Sequence, residues 1–165
     1  MRLINKTIKL PFDSFHWLRK KYWKFFKIET FGVRTLIFKD NKILLVRHRY
    51  GNLWVMPGGQ IDKNENPEIA ALRELKEEVG IVGHKIDYQL GYYKNTTGGK
   101  NDNVYCFVMT NFEIKQNFKP RLIDFLEIGE MGWFDLNQLP ESSSRATKAR
   151  INEFLADKKD LTGNW

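Results

Sequence analysis

The sequence predicts an α/β chain, and two observations carry that expectation. Runs rich in β-branched and aromatic residues at 31–38, 43–48, 85–95, 103–112 and 131–134 read as strands. Segments at 13–27, 67–79 and 145–158 instead carry apolar residues at helical spacing. A length of 165 residues suits one domain with a sizeable core, and 14% aromatic residues exclude a disordered composition.

The charge is unevenly placed. Of 27 Lys/Arg and 20 Asp/Glu, residues 1–30 hold eight and two, leaving 19 against 18 for the rest. The net charge of +7 therefore belongs mostly to the first 30 residues, and a nearly neutral body argues against nucleic-acid binding by the whole domain. Cys106 is the single cysteine and lies in the apolar run 104–108. It cannot form an internal disulfide, and no basic residue adjoins it to activate a thiolate, so a buried inert thiol in a reducing cytoplasm is expected. No apolar run is long enough to span a membrane, and the N-terminus lacks the apolar segment of a signal peptide.

Residues 13–27 read as a basic amphipathic helix, an N-terminal extension over 1–30 ahead of the main domain. Phe15, Leu18, Tyr22 and Phe25 form its apolar stripe, and Arg19, Lys20, Lys21, Lys24 and Lys27 surround it. Its stripe could dock on the domain or on a second copy, giving a homodimer. The helix could also lie on an anionic membrane surface or touch RNA. The next two strands flank Lys39-Asp40-Asn41-Lys42, whose turn chemistry predicts a hairpin. Arg47, His48 and Arg49 follow, either steering or binding substrate phosphates or forming a solvated strand end; Tyr50 and Trp54 could stack on a base, with core or loop packing expected for Trp54. Residues 96–102 read as a loop, and 113–130 show no clear period. The closing helix places Ala149, Ile151, Phe154 and Leu155 on its apolar side.

The most informative stretch is Gly59–Ile81. Asn66 suits a helix N-cap, Pro67 the first helical position, and Gly80 the left-handed residue that ends a helix. At about 100° per residue, Ile69, Leu72, Leu75 and Val79 share an arc that should face a core. Glu74, Glu77 and Glu78 share another, with Arg73 beside them. Carboxylates one turn apart repel, so a compensating partner is expected, and hard divalent cations take such oxygen ligands. Pro57-Gly58-Gly59 just upstream lets a backbone approach a ligand closely.

This stretch resembles the signature of the Nudix hydrolases. Gly59, Glu65, Arg73, Glu74, Leu75, Glu77, Glu78, Gly80 and Ile81 fill its fixed positions, and Leu53–Gly59 and Trp133–Pro140 are similar to the family's usual flanking segments. The resemblance covers about residues 31–140 and places the family domain at 31–160. It implies a mixed β-sheet sandwiched between α-helices. It implies hydrolysis of a pyrophosphate bond in a nucleoside diphosphate linked to another group, with Mg²⁺ or Mn²⁺. Carried onto this chain, Glu74, Glu77 and Glu78 would be metal ligands or base, Gly58 would add its carbonyl, Arg73 would orient the carboxylates, and Glu65 would hold Arg73. Gly59 and Gly80 would be structural. Some members take their base from a later loop, where Glu127 and Glu130 stand.

The substrate stays open. The proline- and aromatic-rich run of NADH-pyrophosphatase-like members is absent. Asn95-Thr96-Thr97 stand where many ADP-ribose hydrolases carry a proline, and Thr97-Gly98-Gly99 where dinucleoside-polyphosphate hydrolases often carry a tyrosine. Two alternatives to a nucleotide-metabolite hydrolase remain: a pyrophosphohydrolase of RNA 5′ ends, and a non-catalytic sensor of a nucleotide metabolite.

Overall fold

A computed structural model describes residues 29–96, 101–116, 118 and 127–165. The expected N-terminal helix and the loop at 97–100 lie outside these. Among the described residues, nine strands and two helices follow in order: β1 (Glu29–Lys39), β2 (Lys42–His48), β3 (Trp54–Val55), α1 (Pro67–Glu78), β4 (Ile81–Val82), β5 (Tyr88–Asn95), β6 (Asn101–Met109), β7 (Glu113–Ile114), β8 (Ile128–Asp135), α2 (Arg145–Leu155) and β9 (Leu161–Asn164). Seven strands form one mixed sheet in the order β3-β2-β1-β6-β5-β9, with β8 on the other side of β2; β4 and β7 pair separately. Among the described residues, no helix is long and apolar enough to cross a membrane.

The sheet is sandwiched between the helices because its strands alternate. Val33, Ile37, Leu44, Val46, Phe107 and Met109 face α1, packing on Ala70, Ala71, Leu75 and Val79. Leu36, Phe38, Ile43, Leu45, Cys106 and Val108 face α2, packing on Ile151 and Phe154. Cys106 is fully buried, and burial pushes its thiol pKa up, as an inert core cysteine requires. Trp54 packs in the α2-side core, edge-on to Phe134 at 4.7 Å.

The β1–β2 hairpin turns at Asp40 and Asn41, both at positive φ (48° and 61°). The two strands pair only at Phe38↔Ile43 and Lys39↔Lys42 and then diverge. Beyond that point β2 pairs with β3, while β1 runs parallel to β6 from Glu29↔Asn101 to Ile37↔Met109. The wedge between β1 and β2 is what positions the site.

Several elements depart from the expectation. Residues 101 and 102, read as loop, extend β6, and the strand expected from 85 begins at Tyr88. Ile69 is 59% exposed; the buried arc of α1 is Ala70, Ala71, Leu75 and Glu78. The small alanines let the helix backbone approach the sheet closely, and the rotation carries Glu78 inward. On α2, Leu155 is exposed, while Thr147 and Arg150 are buried.

Arg150 explains that inversion. Its guanidinium lies 3.6 Å over the Tyr93 ring and is 2.7 Å from both Glu153 oxygens, through Nη2 and Nε. The Tyr93 hydroxyl donates to Glu153 Oε2 at 2.7 Å. Arg150 Nη1 donates to the Asn164 carbonyl at 3.4 Å, so this buried pair fastens β9 to α2. Removing one partner leaves an uncompensated buried charge. We predict that Glu153→Gln lowers stability by roughly 3 kcal/mol, read as a lower urea midpoint with unchanged slope.

Candidate functional site

The wedge between β1 and β2 is filled by residues 57–61. The amide of Thr35 donates to the Pro57 carbonyl (3.0 Å), that of Val33 to the Gly59 carbonyl (2.9 Å), and that of Ile61 to the Phe31 carbonyl (3.0 Å). The loop thus satisfies the β1 edge that β2 abandons. Its glycines are required by contact. Gly58 has φ +133°, and a Cβ there would stand 2.3 Å from the Val33 carbonyl oxygen. A Cβ on Gly59 would stand 2.6 Å from the Glu74 carboxyl carbon.

Helix α1 starts as its sequence dictates. Asn66 Oδ1 accepts from the amides of Glu68 (2.8 Å) and Ile69 (3.4 Å), Pro67 occupies the first turn, and Gly80 closes the end at φ +67°. The helix then delivers its acidic face to the loop. Glu78 is buried, and its Oε2 accepts from the Gly58 amide at 2.8 Å.

Arg73 joins the rest. Glu65 takes it in a two-pronged pair, Nε to Oε1 at 2.8 Å and Nη2 to Oε2 at 2.7 Å. Nη1 donates to Glu74 Oε1 at 2.8 Å and to Glu77 Oε2 at 3.4 Å, and Nη2 to the Gln60 carbonyl at 3.0 Å. One guanidinium thus ties the loop, the segment before the helix and two helix carboxylates together. The Arg73 hydrogen bonds hold the Glu65 carboxyl down at about 2. Burial pushes the Glu74 pKa up, against the pull of Arg73.

The other residues singled out from sequence gather at the end of β2. Arg47 pairs with Glu130 across β2 and β8 and lies 5.3 Å over the Trp54 ring. Tyr50 is exposed and stacks on His48 at 5.1 Å. The Arg49 amide donates to the Glu127 carbonyl at 2.8 Å, bringing the β2 end beside the segment before β8. These residues form a basic and aromatic rim at the β2 end. Arg34 was not singled out, although its signal was present: it is the one charge inside the apolar run 31–38.

A hard divalent cation suits the donor set of carboxylate oxygens and loop carbonyls. A half-buried Glu74 with a raised pKa is also what a nearby cation would relieve. Among the described residues, however, no three acidic, His or Cys side chains are gathered closely enough to hold a metal as they stand. Arg73 and the Gly58 amide occupy the positions that a cation would compete for.

Comparison with known proteins decides the family. The NUDIX domain model matches residues 29–156. The chain belongs to the Nudix family. A diphosphoinositol polyphosphate phosphohydrolase 3-alpha from Mus musculus is 32% identical over 99 residues, covering 59% of this chain and 57% of that protein. The m7GpppN-mRNA hydrolase of Saccharomyces cerevisiae is 33% identical over 123 residues, 72% of this chain but 12% of that protein. The match thus spans little more than half of the first relative and a small part of the second. Among solved structures, a MutT Nudix hydrolase from Burkholderia pseudomallei superposes with TM-score 0.65 at 25% identity, covering 76% of this chain and 98% of that one. A Nudix hydrolase from Nitrosomonas europaea, at 21% identity, gives 0.67 and shares the fold.

The pKa of Glu65 yields a test of this Nudix loop. A depressed folded-state pKa contributes stability above the unfolded value near 4.5, lost as pH falls through about 2. We predict that Glu65→Gln lowers Tm at pH 7, at about 2–4 °C per kcal/mol for a domain of this size. The gap to wild type should shrink between pH 4.5 and 2.

Proposed function

We propose that this protein hydrolyses the pyrophosphate bond of a nucleoside diphosphate linked to another group, using Mg²⁺ or Mn²⁺. The supporting observation is that Glu74 and Glu78 meet the Gly58-Gly59 loop while Arg73 ties Glu74 and Glu77 to the Gln60 carbonyl beside it. Attack on phosphorus needs neutralised phosphate oxygens, a placed water and a proton acceptor. A bound divalent cation would supply the neutralisation and lower the pKa of water. Glu74, Glu77, Glu78 and the Gly58 carbonyl would hold it, with one of the carboxylates taking the proton. Arg73 keeps the carboxylates oriented, Glu65 keeps Arg73 in place, and Arg47, Arg49 and Tyr50 receive the substrate. A reducing cytoplasm suits the buried Cys106.

A second substrate class has its own support. The similarity to an mRNA hydrolase spans 72% of this chain, and the first 30 residues carry most of the net charge. An RNA 5′ end would use that segment as an electrostatic handle, with steep salt dependence. The same segment could dock on a second copy or on an anionic membrane.

The test is hydrolysis by the purified protein of nucleotide sugars, ADP-ribose, dinucleoside polyphosphates, a diphosphoinositol polyphosphate, and capped and 5′-triphosphate RNA. Metal-dependent cleavage of one class is expected. Glu77→Gln and Glu78→Gln should each lose roughly 10²–10⁴-fold in kcat while keeping the fold. Gly59→Ala should lose activity too, because its methyl group displaces the Glu74 carboxylate. Full turnover by Glu78→Gln at saturating Mg²⁺ would sink the assignment, and tight binding without turnover would indicate a sensor.

A further inference from the structure

Two polar nitrogens near the loop are buried without a hydrogen-bond partner: Arg34 Nη1 and His48 Nδ1. Arg34 projects from β1 at the point where β1 borders the glycine loop, opposite Cys106 in β6. Gly58 packs directly on its backbone; a Cβ there would stand 3.1 Å from the Arg34 Cα. The other side of Gly58, its amide, holds Glu78. Arg34 and the acidic helix thus flank a single residue. The Arg34 charge reaches both neighbours: at Glu74 it opposes the upward push of burial, and at His48 it adds to the downward push of burial.

A guanidinium cannot shed its proton, and burying part of it unpaired is costly. Buried N–H donors are nearly always satisfied by protein, water or ligand, and two orphans side by side at the glycine loop leave room for a shared acceptor. We propose that Arg34, with His48 beside it, seats a phosphate of the substrate next to the one addressed by the acidic helix. The ligand would be a diphosphate straddling Gly58, one phosphate towards Glu74, Glu77 and Glu78, the other on Arg34. Burial, then Arg34, lowers the His48 pKa, so the ring is neutral at pH 7 and can donate from Nδ1 without adding charge. Tyr50, stacked on the ring at 5.1 Å, holds its orientation. This seat rests on the hydrolase reading for its neighbour, the metal-bearing acidic face.

Imidodiphosphate, a non-hydrolysable diphosphate without base or sugar, is the probe. Its binding is measured by calorimetry with and without Mn²⁺, and Mn²⁺ binding separately by electron paramagnetic resonance. Arg34→Met should weaken imidodiphosphate roughly ten- to hundredfold, the scale of a charge-assisted hydrogen bond. Arg34→Lys should recover part of the loss, since it restores the charge without the fork. His48→Phe keeps the ring stack and should lose affinity to a smaller degree. Mn²⁺ binding should be unchanged in Arg34→Lys and His48→Phe, and no weaker in Arg34→Met, which removes a positive charge near Glu74. Arg34→Met should also keep or raise Tm, because it removes an unpaired charge; a structural arginine would do the opposite. Unchanged imidodiphosphate affinity in Arg34→Met or His48→Phe, or a lowered Tm in Arg34→Met, overturns the seat. Absence of Mn²⁺ binding in the wild type counts against the hydrolase reading instead, and the metal-free comparison still decides on Arg34.

Discussion

The site depends on one guanidinium. Arg73 spends its donors on Glu65, Glu74, Glu77 and the Gln60 carbonyl, all within hydrogen-bond distance. Without that positive centre, an acidic helix face beside a buried glycine loop would repel itself and turn outward to water. With it, Glu74 remains half-buried against Gly59, where any side chain larger than hydrogen would collide with it. The loop glycines and the arginine are therefore two halves of one constraint: the first removes volume, the second removes repulsion.

That constraint also shapes the fold. β1 and β2 separate after two residue pairs, leaving an unpaired edge that most sheets would close with another strand. Here the edge is satisfied by loop carbonyls and amides at Pro57, Gly59 and Ile61. The backbone hydrogen bonds that would have extended a hairpin instead fix the glycine loop to the centre of the sheet. Pairing between β2 and β8 keeps the far side of the wedge rigid and brings Arg47 to Glu130.

Much of this was legible in the sequence. The cap at Asn66, Pro67 and Gly80 bound α1 closely, because each acts through local backbone chemistry. The hairpin turn at Asp40-Asn41 was legible for the same reason. The orientation of α1 was harder to read. An apolar arc gave Ile69 equal weight with Leu75, whereas close packing through Ala70 and Ala71 turned Ile69 outward. Two-residue strands such as β3, β4 and β7 have no period to detect, and β9 is too polar to signal a strand. Burial of Arg150 depends on Tyr93 and Glu153, partners that no local pattern reveals. Arg34 was visible as a charge in an apolar run, but its lack of a partner is a fact of three dimensions.

The central pairing of β1 with β6 joins residues 29–37 to residues 101–109, and β9 joins β5 only at 161–164. Contacts this distant along the chain close large loops before they return any stabilisation, which slows folding relative to a helical bundle of equal size. During synthesis, β1 must wait for more than half of the chain to emerge before it meets its parallel neighbour. The glycine loop and the acidic helix are made in that interval, when their supporting strand has no partner on its other edge. Kinetic vulnerability therefore falls on the same segment that gathers the acidic helix and the glycine loop.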